Sequence, residues 1–308
     1  MLSGALPVFA EIDDSFDIDP NDIERHITPQ TKVIMAVHLQ GNPADMDRIL
    51  PIARKHKLKV LEDCSQSVGA TYKGKPLGSM GDIAMASLQV NKTISAGEGG
   101  AVYTSDPVLY ERALRFHDMG GFRAAHADWV AQPKLETFIG TNFRMNEFTG
   151  GVLLAQIRKL SRVVGDIRAA GARVYKGIQD MPSVKLRRLP DPAGELASFV
   201  CLGFDSKEKR DRFLKAMAAE NVPGRPPGGS VILPTQPHVE KKVTVHPGWP
   251  SFNTPRGKAI QYGAATCPRT IDILNRFGGV ALDPKFTTVD TDDVVTAIRK
   301  VYPRIVAS

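Results

Sequence analysis

Four short apolar runs constrain this chain most: TKVIMAV at residues 31–37, KVLED at 59–63, DIAMASL at 82–88 and GAVYT at 100–104. Helical patterns accompany them: DPNDIERHI, ADMDRILPIARKHK and DPVLYERALRFHD. Apolar runs of this length, bounded by turn residues, read as strands, TKVIMAV as a buried one. Their alternation with helices predicts an α/β sheet, mainly parallel and covered on both faces. Asp19 is placed to cap the first helix, with Pro20 at its first position, where the missing N–H costs nothing. Pro51, inside the second pattern, predicts a kink or a late start.

The texture changes after residue 144, where RMNEFTGGVLLAQIRKLSRVVGDIRAAGARVYKGI reads as one long helix bridging two domains. A strand-like SFVCLGF, the helix SKEKRDRFLKAMAAEN, a Pro/Gly-rich loop at GRPPGGS and the terminal helix TDDVVTAIRKVY follow. The expected division is a large domain over residues 1–160 and a smaller α+β domain over 161–308.

With 308 residues and 42% hydrophobic content, the chain has enough apolar material for such cores. The net charge of +7 is spread over helix faces such as IARKHKLK, with no aromatic-studded basic stripe, which argues against nucleic acid as a partner. No apolar run reaches membrane-spanning length and no signal-peptide pattern opens the chain, so the expectation is a soluble cytoplasmic protein without a membrane partner. Cys64, Cys201 and Cys267 are widely spaced and odd in number. They read as buried thiols, neither a disulfide framework nor a zinc site, and no metal is expected.

Ligands of open α/β sheets bind beyond the carboxyl ends of the strands. Asp63 ends KVLED, and Lys92 follows DIAMASL, so one edge presents an acid and an amine. Pyridoxal phosphate needs both: a carboxylate for its positive ring nitrogen and an amine to hold its aldehyde and carry protons. Ser87 offers a hydroxyl to the phosphate, and Gly97, Gly99 and Gly100 let the backbone turn tightly nearby. Each also has a plainer reading: Lys92 as a solvated surface lysine, Asp63 as the N-cap of SQSVGA, Ser87 as a partner of the backbone. The combination is what points to chemistry.

That combination, VLEDCSQSVGATYKGKPLGSMGDIAMASLQVNKTISAGEGGAVYT, resembles the core of the DegT/StrS family of pyridoxal-phosphate sugar aminotransferases. The features are a strand ending in Glu-Asp, a glutamine three residues after the Asp, a K-G-K-x-x-G-x-x-G-D hairpin, a serine before the lysine, and a G-E-G-G turn. The resemblance extends upstream through PVFAEIDDSFDIDPNDIERHI and downstream to GTNFRMNEFTGGVLLAQIRKL, about residues 5–160. It implies a PLP-transferase-like large domain with a smaller C-terminal one, and a homodimer with shared active sites. It assigns Lys92 to the cofactor aldehyde, Asp63 to the ring nitrogen, Gln66 to the ring and phenolic-oxygen side, Ser87 to the phosphate, and Asn142 to the phosphate across the dimer interface. Arg144 and Glu147 are expected to order the start of the bridging helix. His246 and the HPGWPSFN segment read as a surface loop outside the site.

The activity implied is transfer of an amino group from glutamate or glutamine to a keto sugar, nucleotide-linked, or to a keto cyclitol. Family members carry further N-terminal elements, including a Gly-Thr phosphate loop, ahead of the segment that opens this chain; the expectation is a fragment, a misassigned start or a form that has lost part of its site. The alternative is a non-catalytic or regulatory protein of the same fold. Lys92 argues against the dehydratase branch, which has histidine there. GEGG lacks a following G-K-[ST] and leads into a strand, which argues against a nucleotide-binding loop.

Overall fold

The computed structural model describes residues 3–246 and 252–307. In chain order, the first half contains helix α1 (Pro20–His26), strand β1 (Val33–Val37), α2 (Met46–Lys55), β2 (Lys59–Asp63), the short pair β3 (Thr71–Tyr72) and β4 (Lys75–Pro76), β5 (Ile83–Ser87), β6 (Gly100–Tyr103) and α3 (Pro107–His117). Helices α4 (Glu147–Ile157) and α5 (Leu160–Ile178), strand β7 (Phe199–Gly203), α6 (Lys207–Ala219), α7 (Pro237–Glu240), α8 (Pro255–Ala259), α9 (Pro268–Arg276), β8 (Phe277–Ala281) and α10 (Thr288–Ala307) follow.

Contacts divide the chain into two compact units. One comprises Lys32–Arg168 and Leu189–Leu196; the other comprises the stretch up to Thr31, Ala169–Arg188 and the chain from Ala197 onward. This differs from a division at residue 160: the N-terminal stretch groups with the C-terminal half, and the switch falls inside α5. The physical tie is Glu11, whose carboxylate accepts the N–H groups of Arg269 (3.0 Å) and Thr270 (2.7 Å) at the start of α9. A side chain thus supplies acceptors that the first turn of a helix lacks.

The first unit is built on a four-stranded sheet of order β1-β2-β5-β6. β1, β2 and β5 run parallel and β6 returns antiparallel to β5, so the sheet is mainly parallel, as the alternating pattern predicts. Asp19 caps α1 by accepting the Asn21 N–H at 2.8 Å, with Pro20 at the first position, again as expected. Helix α2 runs unbroken from Met46 to Lys55, with Pro51 inside it at the sixth position. The expected single bridging helix is instead two, α4 and α5, parted at Arg158 and Lys159, where the Lys159 N–H bonds the Gln156 carbonyl three residues back and tightens the turn. Asn146 caps α4 through a bond from the Thr149 N–H at 2.9 Å.

In the second unit β7 and β8 pair antiparallel. All five residues of β7 are buried. Val200 and Leu202, on one face of the strand, join a core formed by Val174 and Ile178 of α5, Phe213 and Met217 of α6, and Ile298 and Tyr302 of α10. Tyr302, fully enclosed, donates its hydroxyl to the Gly203 carbonyl at 2.9 Å. That bond satisfies its one polar atom inside an apolar core.

Candidate active site

Parallel pairing brings the carboxyl ends of β1, β2 and β5 to one edge. Val37 pairs with Asp63, and Asp63 with Met85, so Ser87 lies two residues past Asp63 at the same rim. The chain then leaves the sheet in a loop and re-enters as β6, with Gly100 paired to Ser87. Hydrogen bonds from Leu88 N–H to the Gly99 carbonyl and from Ala96 N–H to the Leu88 carbonyl, each 2.9 Å, close that loop. Gly97 (φ 86°) and Gly99 (φ 148°) take left-handed backbone conformations that favour glycine. Lys92 rides on this loop, its own N–H bonded to the Gln89 carbonyl at 3.0 Å. The framing of the lysine by a strand and a glycine-rich turn therefore fixes a loop to the rim of the sheet.

Asp63 is half-buried and its Oδ1 accepts the Ser65 N–H at 2.9 Å, which makes it a turn-former and leaves Oδ2 uncommitted among the described residues. Lys92 is half-buried, and among the described residues nothing pairs with its Nζ. Ser87 Oγ accepts the Gln89 N–H at 3.3 Å and keeps its proton to donate. Gln66 is exposed, with its Oε1 taking the Gln40 N–H at 3.2 Å. These four stand on or just beyond the ends of β2 and β5. Asn142 belongs to another stretch: it bridges to Asp118 and its Oδ1 accepts the Arg144 N–H at 3.2 Å.

Behind the rim lies a buried network in which the sequence reading gave no residue a role. Glu62 is wholly enclosed. Its Oε2 accepts His38 Nε2 at 3.1 Å and the Gly78 N–H at 2.8 Å, and its Oε1 accepts the N–H groups of Met80 at 2.8 Å and Gly81 at 2.5 Å. His38 Nδ1 accepts the Ala44 N–H at 3.0 Å, so the imidazole proton sits on Nε2 and points at Glu62. Burial pushes the Glu62 carboxyl up, but the bonds from His38, Gly81 and Gly78 outweigh it and hold it below the usual carboxylate range. The β3–β4 hairpin and the turn after it are thereby clamped to β2, next to Asp63. A sequence signal for this existed: an acid directly before the rim aspartate, on the same strand face as the apolar Val60.

Asp118 forms a second unforeseen hub. Nearly buried, it receives His126 Nε2 at 3.0 Å, Arg123 at 3.0 Å and Arg144 at 2.6 Å. Burial raises its carboxyl, and the His126 bond with the Arg123 and Arg144 charges brings it below its ordinary value. Arg144 thus orders the stretch leading to α4, in line with the structural role expected of it. Glu147, expected to share that role, opens α4 in its first turn, where an acid suits the helix dipole.

His38, Glu62 and Cys64 bring one potential metal ligand each within 4.8 Å of one another. Their chemistry is already spent: both imidazole nitrogens and both carboxylate oxygens are in hydrogen bonds, and burial pushes the Cys64 thiol up to about 12. All three cysteines are free and buried, as expected. His246 is exposed, while residues 247–251 of the HPGWPSFN segment lie outside the described residues.

An uncommitted carboxylate oxygen, an unpaired amine and a hydroxyl at one sheet rim fit the donor set of an aldehyde-bearing, phosphorylated pyridine. The mainly parallel sheet and this rim define the class: an α/β protein whose candidate site lies at the strand ends. The chain belongs to the DegT/DnrJ/EryC1/StrS aminotransferase family, whose sequence profile matches residues 1–299. It is 33% identical over 261 residues to the GDP-perosamine synthase of Escherichia coli O157:H7, covering 82% of this chain and 68% of that one. To the L-glutamine:2-deoxy-scyllo-inosose aminotransferase of Streptomyces kanamyceticus it is 38% identical over 165 residues, 51% of this chain and 38% of that one. An aminotransferase structure from Psychrobacter cryohalolentis superposes with a TM-score of 0.78 at 25% identity, over 98% of this chain and 76% of its own.

Proposed function

We propose that the chain is a pyridoxal 5'-phosphate-dependent aminotransferase that moves an amino group from glutamate or glutamine to a keto sugar, nucleotide-linked, or to a keto cyclitol. The observation that carries this is the shared rim of β2 and β5, where Asp63, Ser87 and the Lys92 loop emerge together. The names of the relatives support the substrate class: one makes a GDP-linked amino sugar, another passes the amino group of glutamine to a keto cyclitol. When bound, the cofactor supplies an aldehyde that accepts amino groups and a ring that draws electrons from the neighbouring carbon. Lys92 would hold that aldehyde, and its Nζ, when free, would carry a proton. Asp63 keeps the ring nitrogen protonated through its carboxylate. Gln66 would serve the phenolic-oxygen side, and Ser87 would donate to the phosphate.

Asn142 reaches the phosphate of a second copy, and the copies pair through the face that carries it. None of the residues of α4 is buried, and Ile139, Phe143 and Phe148 before and within it are exposed. Apolar surface on that scale marks an interface. Among the described residues no helix is long and apolar enough to cross a membrane. The reading keeps the enzyme in the cytoplasm.

The test is covalent. Incubation with pyridoxal phosphate followed by borohydride should fix one cofactor on the Lys92 peptide, read by mass spectrometry, and Lys92→Ala should lose both the adduct and amino transfer. An adduct confined to another lysine, or transfer retained without Lys92, overturns the assignment.

A further inference from the structure

Just after β1 the chain makes an unusual turn. Gln40 is buried yet left-handed, with φ 53° and ψ 45°, and Gly41 follows at φ 82°. A non-glycine residue in this region costs conformational free energy and persists only when its surroundings hold it there. The surroundings do. The His38 N–H bonds the Asp63 carbonyl at 3.0 Å, the Gly41 carbonyl accepts the Leu196 N–H at 2.9 Å, and Ser67 Oγ donates to the His38 carbonyl at 2.5 Å. As a result two successive amides serve two successive side chains: Gln40 N–H bonds Gln66 Oε1 at 3.2 Å, and Gly41 N–H bonds Ser67 Oγ at 3.1 Å.

We infer that Gln40 is a positioning residue whose left-handed amide sorts the Gln66 carboxamide, committing its oxygen inward and leaving its NH2 as the group offered to a ligand. A backbone N–H accepts nothing, so the carboxamide atom it meets is the oxygen. Among the described residues Gln66 Nε2 has no partner. A donor in that place stabilises an anionic oxygen on the ring, whereas an acceptor would oppose it. The inference rests on the cofactor reading above. It goes further in making the backbone amide of one residue responsible for the polarity of a neighbouring side chain.

The experiment titrates the full chain with pyridoxal phosphate and follows its absorbance. Gln66→Glu keeps an oxygen for the Gln40 N–H but replaces the NH2 with a second acceptor; Gln66→Met offers neither. The expected order of affinity is wild type, then Gln66→Met about tenfold weaker, then Gln66→Glu weaker still, with the visible band displaced in both. Gln40→Val, which resists the left-handed region, should displace the band as Gln66→Met does and add nothing to it in the double variant. Gln40→Asn, which tolerates the left-handed region, should displace the band less than Gln40→Val. A Gln66→Glu protein indistinguishable from wild type overturns the inference, as does a Gln40→Val band identical to wild type. Should Gln40→Val not fold, the Glu and Met comparison decides alone. Failure of the wild type to load Lys92 overturns the cofactor reading and the inference with it, whereas loading with an unaffected Gln66→Glu overturns the inference only.

Discussion

Glu62 and Asp63 follow one another in β2 and serve opposite sides of the sheet. The Glu62 carboxylate is wholly enclosed beneath the turn that follows the β3–β4 hairpin, while Asp63 opens at the end of the strand. Alternation along a strand makes this division unavoidable. One acid anchors the scaffold from behind, and the other is freed for the rim.

Removing the anchor should be costly. Glu62→Gln leaves four donors facing a single carbonyl oxygen and an amide that must itself donate. We expect a loss of roughly 2–4 kcal/mol in urea unfolding. The pH dependence follows from the lowered folded-state value. The unfolded carboxyl takes its proton near pH 4.3, the folded one only at lower pH, so this stabilisation is complete above about pH 4.3 and is lost as pH falls through the folded value. Wild-type stability should therefore fall more steeply than that of Glu62→Gln as pH drops below about 4.5. Parallel slopes would show that Glu62 does not carry the linkage.

The hairpin offers a matched pair of glycines. Gly74 (φ 79°) has nothing within 4 Å of an added Cβ, while at Gly78 (φ 88°) that atom would lie 2.3 Å from the Tyr103 ring. Gly74→Ala should cost only the backbone term, about 1 kcal/mol. Gly78→Ala adds displacement of the half-buried Tyr103 ring and should cost roughly 2 kcal/mol more, read as the difference between two denaturation midpoints. Equal losses would mean that Tyr103 moves aside freely.

The local signals in this chain were legible because they are local. Asp19 and Pro20 announce α1, the apolar runs announce β1, β2, β5 and β6, and the acid and amine at the strand ends announce the rim. What escaped depends on partners far apart in sequence. Nothing around Glu11 says that it will complete the first turn of α9, and that pairing is one of the bonds that tie the N-terminal stretch to the C-terminal unit. Strand β8 lay hidden in FGGVA, whose glycines weaken the strand pattern but let Gly279 lie against Val200, where an added Cβ would meet the carbonyl at 2.3 Å. The break between α4 and α5 has no glycine or proline at it, so composition could not mark it.

Asp118 should govern the stretch from residue 119 to 146. Its oxygens hold Arg123, His126 and Arg144 at once, and Asp118→Ala would release all three while leaving the His126 ring buried without its partner. Trypsin should then cut at Arg123 and Lys134 roughly tenfold faster than in wild type, with fragments assigned by mass spectrometry, because local opening sets the rate. Asp118→Glu should recover part of the protection. Unchanged cleavage would place the order of this stretch elsewhere.

The exposed face of α4 gives the sharpest test of pairing. Phe148 is 90% exposed and Ile139 96%, with Val152, Leu154 and Ile157 open along the same helix. An aromatic anchor at an interface centre is worth 2 kcal/mol or more, so Phe148→Glu should raise the dimer dissociation constant by roughly thirtyfold or more. Sedimentation should show the wild type as a dimer and the variant shifting to monomer at micromolar concentration. If Asn142 serves the partner's phosphate, the monomer also loses a cofactor contact, so cofactor affinity should depend on protein concentration in Phe148→Glu and not in wild type. A variant that stays dimeric, with cofactor affinity constant on dilution, would exclude this face as the interface and remove the basis for a shared site.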